Sequence, residues 1–148
     1  MTSAPTSSDW KRQSAIDFML DDCQTWAVVG LADHPHRTAY SIAELLQQRG
    51  KRIVPIHPRF ADEPGGEVLG ERGFATLADV PFAIDVVDVF RRSESAGEFA
   101  DQAVAVGARA VWFQLGVVDA EAFRRTTGAG VPMVMDTCPA IEWRRRAA

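Results

Sequence analysis

The residues of this chain that could do chemistry follow the ends of its apolar runs, and most of them suit the binding of a phosphate. Arginine is prominent among them, and its guanidinium group donates two parallel charged hydrogen bonds that match phosphate geometry. The residues in question are Gly30, Ala32, His34, Arg37, Thr38, Ser41, His57, Pro58, Arg91, Arg92, Gln114, Leu115, Gly116, Thr137, Cys138 and Pro139. We predict from this convergence a local anion site. The alternative is that Arg91 and Arg92 only begin a solvated helix.

The stretch around Gly30 predicts the unit that positions this site. Trp26 to Val29 is short and fully apolar, which is typical of a strand buried on both faces of a parallel sheet. Gly30 allows a sharp turn and a close approach of a ligand to the backbone. The amphipathic run that contains Ile42 and Leu46 predicts a helix, whose N-terminus would face an anion.

The rest of the chain alternates predicted strands and helices. A helix is expected from about Trp10 to Asp22, capped by Ser8 or Asp9. Pro55 indicates that its strand lies at a sheet edge. The other expected elements are strands at 52–56, 84–90, 110–114 and 131–135, a short strand near 67–69, and helices at 76–79, 93–106, 119–127 and 139–146. This order predicts an α/β, Rossmann-like three-layer sandwich with a mainly parallel, doubly wound sheet.

Composition favours one domain over residues 9–148, preceded by a flexible tail at 1–8. The chain has 148 residues with 47% hydrophobic and 24% charged side chains, which is typical of a globular domain. A net charge of −4 argues against a nucleic-acid partner, and no apolar run approaches the ~20 residues of a membrane span. Met1 to Ser8 lacks the apolar core of a secretory signal, and two distant cysteines imply no disulfide framework. We therefore expect a cytoplasmic protein.

Several other side chains could take part in chemistry, and we consider each in turn. Asp33, His34 and His36 resemble a metal cluster, but zinc takes three or four ligands, so we expect a polar ligand loop and no metal. Asp85 and Asp88 lie on opposite faces of their strand, which argues against a catalytic carboxylate pair and favours hydrogen bonds to loop amides. Trp112 and Phe113 are expected in the core, and the run 144–146 is expected to be solvated. We predict no catalytic residues.

The glycine turn departs from the dinucleotide fingerprint. That fingerprint is G-x-G-x-x-G followed by an acidic residue that holds the ribose diol. Here Ala32 and Pro35 stand at the second and third glycine positions, and the second strand ends at His57. These departures disfavour NAD as the ligand. Arg59 could contact a 2′-phosphate, so NADP remains an alternative ligand. The chain also has no P-loop lysine.

Five segments, in order and spacing, resemble the small single-domain CoA-binding proteins. They are 28–31 (VVGL), 54–58 (VPIHP), 85–93 (DVVDVFRRS), 112–117 (WFQLGV) and 134–139 (VMDTCP). The chain also resembles, from Trp10 to Glu142, the CoA-binding domain of the succinyl-CoA synthetase α subunit, whose last strand runs into an Asn-Cys-Pro turn. Two positions depart from the family pattern: Thr137 stands where the family often has Arg, and His57 where it usually has Asn.

The resemblance implies coenzyme A or an acyl-CoA as ligand. The family's phosphate and adenosine contacts fall on Gly30, Ala32, Arg37, Ser41, His57, Pro58, Phe90, Arg91 and Gln114, and we add Thr38, Arg92 and Cys138 to the predicted binding residues. We expect binding without catalysis. The alternatives are a small NADP-binding oxidoreductase and a CoA-sensing regulatory module that presents a homodimer face.

Cys138 has two interpretations within this resemblance. It precedes a short predicted helix, whose N-terminus would lower the pKa of its thiol. It would then lie near the thiol-bearing arm of the ligand and form a mixed disulfide. The alternative, which we favour, is a small buried residue in a turn.

Overall fold

The computed structural model describes residues 4–147. Its main sheet has five parallel strands in the order β2-β1-β5-β6-β7, and β3 and β4 form a separate antiparallel hairpin. The strands are β1 Thr25–Val29, β2 Arg52–Ile56, β3 Glu67–Val68, β4 Glu71–Arg72, β5 Val86–Val89, β6 Ala110–Phe113 and β7 Met133–Val134. The helices are α1 Ser7–Trp10, α2 Gln13–Asp22, α3 Thr38–Gln48, α4 Ser93–Ala105, α5 Ala120–Gly128 and α6 Pro139–Ala147, with short 3₁₀ turns at Pro58–Ala61 and Leu77–Asp79.

The sheet lies between two layers of helices, as predicted. On β1, Trp26 and Val28 point into the core shared with α2, α3 and α6, whereas Ala27 and Val29 point into the core shared with α4 and α5. All four side chains are buried, which explains why this strand is apolar along its whole length. The predicted α/β, Rossmann-like sandwich is confirmed.

Pro55 lies on the edge strand β2, as its missing N–H group predicts. Its carbonyl oxygen faces away from β1 and accepts the Phe74 N–H at 2.9 Å. A strand residue directs its N–H and C=O to the same side, so the ring of Pro55 costs no hydrogen bond to β1.

The N-terminal helix differs from the prediction. Instead of one helix from about Trp10 to Asp22 there are two, because Lys11 leaves helical geometry at φ −118° and ψ 35°. Thr6 and Asp9 form a capping box at the start of α1, with the Thr6 N–H donating to the Asp9 carboxylate at 2.8 Å. The N-cap is therefore Thr6 and not the predicted Ser8 or Asp9, and Ser7 and Ser8 lie in α1 and not in the predicted tail. Residues 1–3 of that predicted tail lie outside the described residues.

The two aspartates around β5 have different surroundings. The Asp85 carboxylate accepts the N–H groups of Gln24 at 2.8 Å and Thr25 at 2.9 Å, which confirms the expected hydrogen bonds to loop amides. For Asp88 this expectation is wrong. Asp88 is fully buried, and neither carboxylate oxygen has a partner within residues 4–147. Burial raises its pKa well above the ordinary value.

The C-terminal arginines are also more structured than predicted. Arg146 donates to Asp21 at 2.7 Å and to Asp17 at 2.6 Å, so it ties α6 to α2. Arg145 contacts Glu142 at 3.2 Å, and Arg144 is exposed. All three arginines of this run are exposed, as predicted, and two of them also form ion pairs. Within the described part of the chain, the helices are too short or too polar to cross a membrane.

The burial of Asp88 predicts an unusual dependence of stability on pH. A carboxyl whose pKa is raised by folding contributes most stability below its unfolded pKa and loses it as the pH rises toward the folded value. In urea unfolding, the native protein should lose stability relative to Asp88→Asn between pH 5 and 8, by up to about 1.4 kcal/mol per pH unit. Equal slopes for the two proteins would show that the native state carries an ionised Asp88.

Candidate functional site

The candidate site lies at the topological switch point of the sheet, where successive strands are placed on opposite sides of β1. The chain crosses from β1 to the edge strand β2 and then returns to place β5 on the other side of β1. Ligands of parallel α/β sheets bind at such a point, beyond the carboxyl ends of the strands. A cavity of about 370 Å³ opens there, and its lining residues are Gly30, Ala32, His34, Arg37, Thr38, Ala39, Tyr40, His57, Phe90 and Arg91.

The cavity brings together part of the predicted residue set. The predicted residues that line it are Gly30, Ala32, His34, Arg37, Thr38, His57, Phe90 and Arg91. The predicted residues outside the lining are Ser41, Pro58, Arg92, Gln114 and Cys138. Ala39 and Tyr40 line it but were not predicted. They occupy the first turn of α3, directly after the predicted Arg37 and Thr38.

Gly30 shapes the floor of this cavity. Its φ is +102°, a conformation that L side chains rarely adopt. A Cβ at this position would lie 2.8 Å from the carbonyl oxygen of Phe90. Only glycine therefore lets the end of β1 lie against the end of β5.

The N-terminus of α3 supplies unpaired hydrogen-bond donors. Its N-cap residue is Arg37, whose side chain makes no capping hydrogen bond. The N–H groups of Thr38 and Ala39 have no acceptor within residues 4–147. Free N–H groups and the helix dipole together make this end of the helix a site for an anion.

The N-terminus of α4 has the same design. Its N-cap residue is Arg92, again without a side-chain cap. The neighbouring Ser93 hydroxyl is used elsewhere, since it donates to the Gly116 carbonyl at 3.2 Å and accepts the Val118 N–H at 3.0 Å. Among the described residues, neither Arg37 nor Arg91 forms an ion pair. Two arginines that line the cavity thus keep their charge available.

His57 presents a fixed donor to the cavity. Its Nδ1 accepts the Arg59 N–H at 3.1 Å, so the proton of the neutral ring lies on Nε2. Burial lowers the pKa of this histidine, and the positive charges of Arg59, Arg91 and His34 lower it further. The ring is therefore neutral near pH 7, with its Nε2–H as the free polar group.

Several residues beside the cavity point into the core. The Thr137 hydroxyl donates to the Met135 carbonyl at 2.8 Å, and the Thr137 carbonyl accepts the Trp112 indole N–H at 2.7 Å. Trp112 and Phe113 are fully buried, as predicted. Cys138 is buried immediately before α6. Gln114 is 5% exposed, and its side-chain oxygen has no partner within the described residues.

The loop histidines lie beside each other. The rings of His34 and His36 are 5.9 Å apart. No group of three or more His, Cys, Asp or Glu side chains within residues 4–147 is arranged to hold a metal ion. His34 instead faces the anion cavity.

Comparisons with known proteins agree with this geometry. Residues 24–144 match a family described as the CoA binding domain. The uncharacterized protein YneT of Bacillus subtilis (strain 168) is 35% identical over 126 residues, covering 85% of this chain and 90% of that protein. A hypothetical protein from Pyrococcus horikoshii OT3 has a TM-score of 0.85 at 28% identity, covering 99% of this chain and all of the other. The predicted resemblance to CoA-binding proteins is confirmed.

The fold also occurs within a larger enzyme. The dinucleotide forming acetyl-coenzyme A synthetase 1 of Ca. Korarchaeum cryptofilum, in complex with phosphate and ADP, has a TM-score of 0.65 at 18% identity. The match covers 82% of this chain and 27% of that one. At this identity the likeness concerns the fold alone.

The role of Gly30 predicts a difference between two glycine substitutions. Gly50 has φ +83° with open space around it, so Gly50→Ala should only strain the backbone, by about 1 kcal/mol. Gly30→Ala adds the collision with Phe90 and should destabilise the protein more. Thermal unfolding of both variants measures the difference. Equal losses would show that the approach of the Gly30 and Phe90 backbones is not tight.

The surroundings of His57 predict its titration. Proton NMR should give its imidazole a pKa below 6.5, and Arg91→Gln should raise that pKa by removing one positive neighbour. Arg92→Gln is the matched control, since Arg92 is not among the charges that act on His57. A shift of equal size in both variants would contradict the placement of Arg91 beside His57.

Proposed function

The chain belongs to the CoA binding domain family, and on that premise we propose that it binds coenzyme A or an acyl-CoA in the cavity between β1 and β5. The observation that carries this proposal is the pair of helices, α3 and α4, that begin without a side-chain cap at this point. Helix N-termini normally receive an acceptor from Ser, Thr, Asp or Asn. Arginine cannot accept, so both ends favour an acceptor from outside the chain.

The pyrophosphate of the ligand fits this arrangement. Its oxygens would accept the free N–H groups of Thr38 and Ala39, with the guanidinium groups of Arg37 and Arg91 beside them. Gly30 allows the phosphates to approach the backbone closely. An acidic chain thus offers a polyanion a local site of the opposite charge, which supports binding despite the net charge of −4.

The rest of the predicted set would act further along the ligand. Phe90 lines the cavity, and Gln114 follows the neighbouring strand β6 with a buried side-chain oxygen that lacks a partner. The amides of a pantetheine arm would supply donors for such an oxygen. We propose that Cys138, which is buried outside the lining of the cavity, is a structural residue.

The cavity favours binding over catalysis. Its polar side chains come from His34, Arg37, Thr38, Tyr40, His57 and Arg91, with no carboxylate among them. A histidine that acts as a base is usually oriented by an acceptor on its Nδ1–H. Here Nδ1 of His57 is itself the acceptor of a backbone N–H. We therefore propose that the protein binds and presents its ligand and performs no reaction of its own.

The buried thiols support a cellular setting. Cys23 and Cys138 are both free and buried, and burial raises the pKa of the Cys23 thiol to about 11. A thiol with a raised pKa is unreactive, and unpaired cysteines are typical of reducing compartments. We propose on this basis that the protein acts in the cytoplasm.

Titration calorimetry tests the proposal. CoA and desulfo-CoA should bind, and NADP should bind more weakly. Arg37→Ala and Arg91→Ala should each cost about 1.5–3 kcal/mol, which is roughly one to two decades in affinity, because each removes a charged phosphate contact.

Arg144→Ala is the matched control. It removes an exposed arginine of α6 that does not line the cavity, so it should bind CoA as the native protein does. Native affinity in both cavity variants would move the site elsewhere. Tighter binding of NADP than of CoA would favour the oxidoreductase alternative.

A further inference from the structure

We propose that this protein pairs with a second copy of itself beside strand β7, at the free edge of its main sheet. In this pair the exposed Leu115 side chain of each copy enters a groove on the other copy. The inference goes beyond the proposed function, because the groove lies outside the ligand cavity and the pairing requires no ligand.

The groove lies between α2 and α5, and we call it the edge groove. It is a cavity of about 410 Å³, and its apolar walls come from Ala15, Phe18, Phe123, Pro132 and Met133. Both phenylalanines are only partly buried by their own chain. The cavity is large enough for an aliphatic side chain, and burial of such a side chain against these walls would stabilise a complex.

The backbone of β7 also faces this edge. Within the described residues, β7 pairs with β6 alone. Met133 is in register with Val111, whose N–H donates to the preceding Pro132 carbonyl at 3.0 Å, so the backbone groups of Met133 point away from β6. Helix α1 covers the edge at Met135, whose N–H donates to the Trp10 carbonyl at 3.0 Å. A sheet edge that is covered over part of its length favours association with another chain.

Leu115 is the side chain that fits such a groove. It is 49% exposed, the highest value among the large apolar side chains of residues 4–147. The turn that carries it is held in place, because the Val117 N–H donates to the Gln114 carbonyl at 2.9 Å and the Asp136 carboxylate accepts the Gly116 N–H at 2.7 Å. Since this backbone is already ordered, binding through Leu115 costs little loop entropy.

A series of contacts places Leu115 and the edge groove on the same side of the molecule. The Asp136 carboxylate that holds the Leu115 turn also lies 3.3 Å from Lys11 Nζ. The next residue, Arg12, lines the edge groove. A twofold pair requires this arrangement, because each copy then offers its side chain and its groove to the other at the same time.

The charges on this side favour a second copy over a partner of strong net charge. Lys11 is paired with Asp136, and Arg12 lies 3.8 Å from Asp9. These residues between Leu115 and the edge groove thus form two pairs of opposite charge. A chain with a net charge of −4 would repel its own copy through an acidic surface, whereas this balanced surface lets the two copies approach.

Sedimentation equilibrium of the native chain without ligand tests the pairing. The protein should change from monomer to dimer as its concentration rises toward millimolar. Leu115→Ser should raise the dissociation constant of the dimer about ten- to a hundredfold, because the half-exposed leucine would become buried and the substitution occurs in both copies. Val106→Ser is the matched control, since Val106 is 38% exposed at the end of α4 and should leave the constant unchanged.

A second variant blocks the edge groove. Thr127 is exposed on α5 and lines the groove, and arginine is a good helix former, so Thr127→Arg should fill the groove and keep the helix. Like Leu115→Ser, it should weaken the dimer at least tenfold. A mixture of the two variants should associate more strongly than either variant alone, because Leu115 of one meets the open groove of the other. Circular dichroism and thermal unfolding verify that each variant is folded.

The outcomes are decisive for this surface. A native protein that stays monomeric up to millimolar concentration would overturn the pairing. So would equal weakening by Leu115→Ser and Val106→Ser, which would assign the association to general apolar exposure. If both variants weaken the dimer but their mixture does not recover, Leu115 does not enter the edge groove. None of these results depends on CoA, so CoA binding is tested separately by calorimetry.

Discussion

The contact between the ends of β1 and β5 is the constraint on which the site depends. The Gly30 N–H donates to the Ile56 carbonyl at 2.8 Å, and the Phe90 N–H donates to the Val29 carbonyl at 2.9 Å, so β1 is tied to both of its neighbours where it ends. A Cβ on Gly30 would collide with the Phe90 carbonyl oxygen. Because no side chain separates these strands, the following loop runs directly into α3 and the first-turn N–H groups of that helix face the crevice. The cavity is thus a consequence of backbone packing, and the arginines and histidines are placed on its rim.

The unpaired donors around this crevice are a cost to the free protein. A first turn without a side-chain acceptor forgoes the stabilisation that a good N-cap residue supplies, which is about 0.5–2 kcal/mol. The chain instead places Arg37 and Arg92 at the N-caps of α3 and α4. Both choices add positive charge where the helix dipole is already positive, which disfavours the empty state further. Such a combination lowers the stability of the free protein and raises its affinity for an anion, which is the usual trade-off between stability and function at a binding site.

Sequence patterns predicted the parts of this structure that depend on local chemistry. The apolar runs at 26–29 and 110–113 became buried strands, Pro55 marked the edge strand, and residues that follow different strands met at one cavity. The misses depend on contacts that are distant in sequence. Arg146 pairs with Asp17 and Asp21 across more than a hundred residues, and its exposed run gave no sign of these ion pairs. Asp88 lies among apolar neighbours on a central strand. Period-two alternation predicts which face of the sheet its side chain occupies, but it does not predict whether a hydrogen-bonding group lies on that face. Lys11 interrupts a helical pattern through backbone angles that its side chain does not signal.

One hydrogen bond illustrates how fold and recognition share the same groups. His57 offers a side-chain acceptor to the N–H two residues ahead, as an Asn at this position would. Either residue can therefore end β2 and start the turn at Pro58–Ala61. They differ in what remains after that bond is made. The amide group of Asn is short and its donor lies close to the backbone, whereas the imidazole extends to a second nitrogen whose proton is fixed by the first. His57 therefore supports the turn with one nitrogen and keeps a second nitrogen available in the cavity that Arg91 and His34 also line.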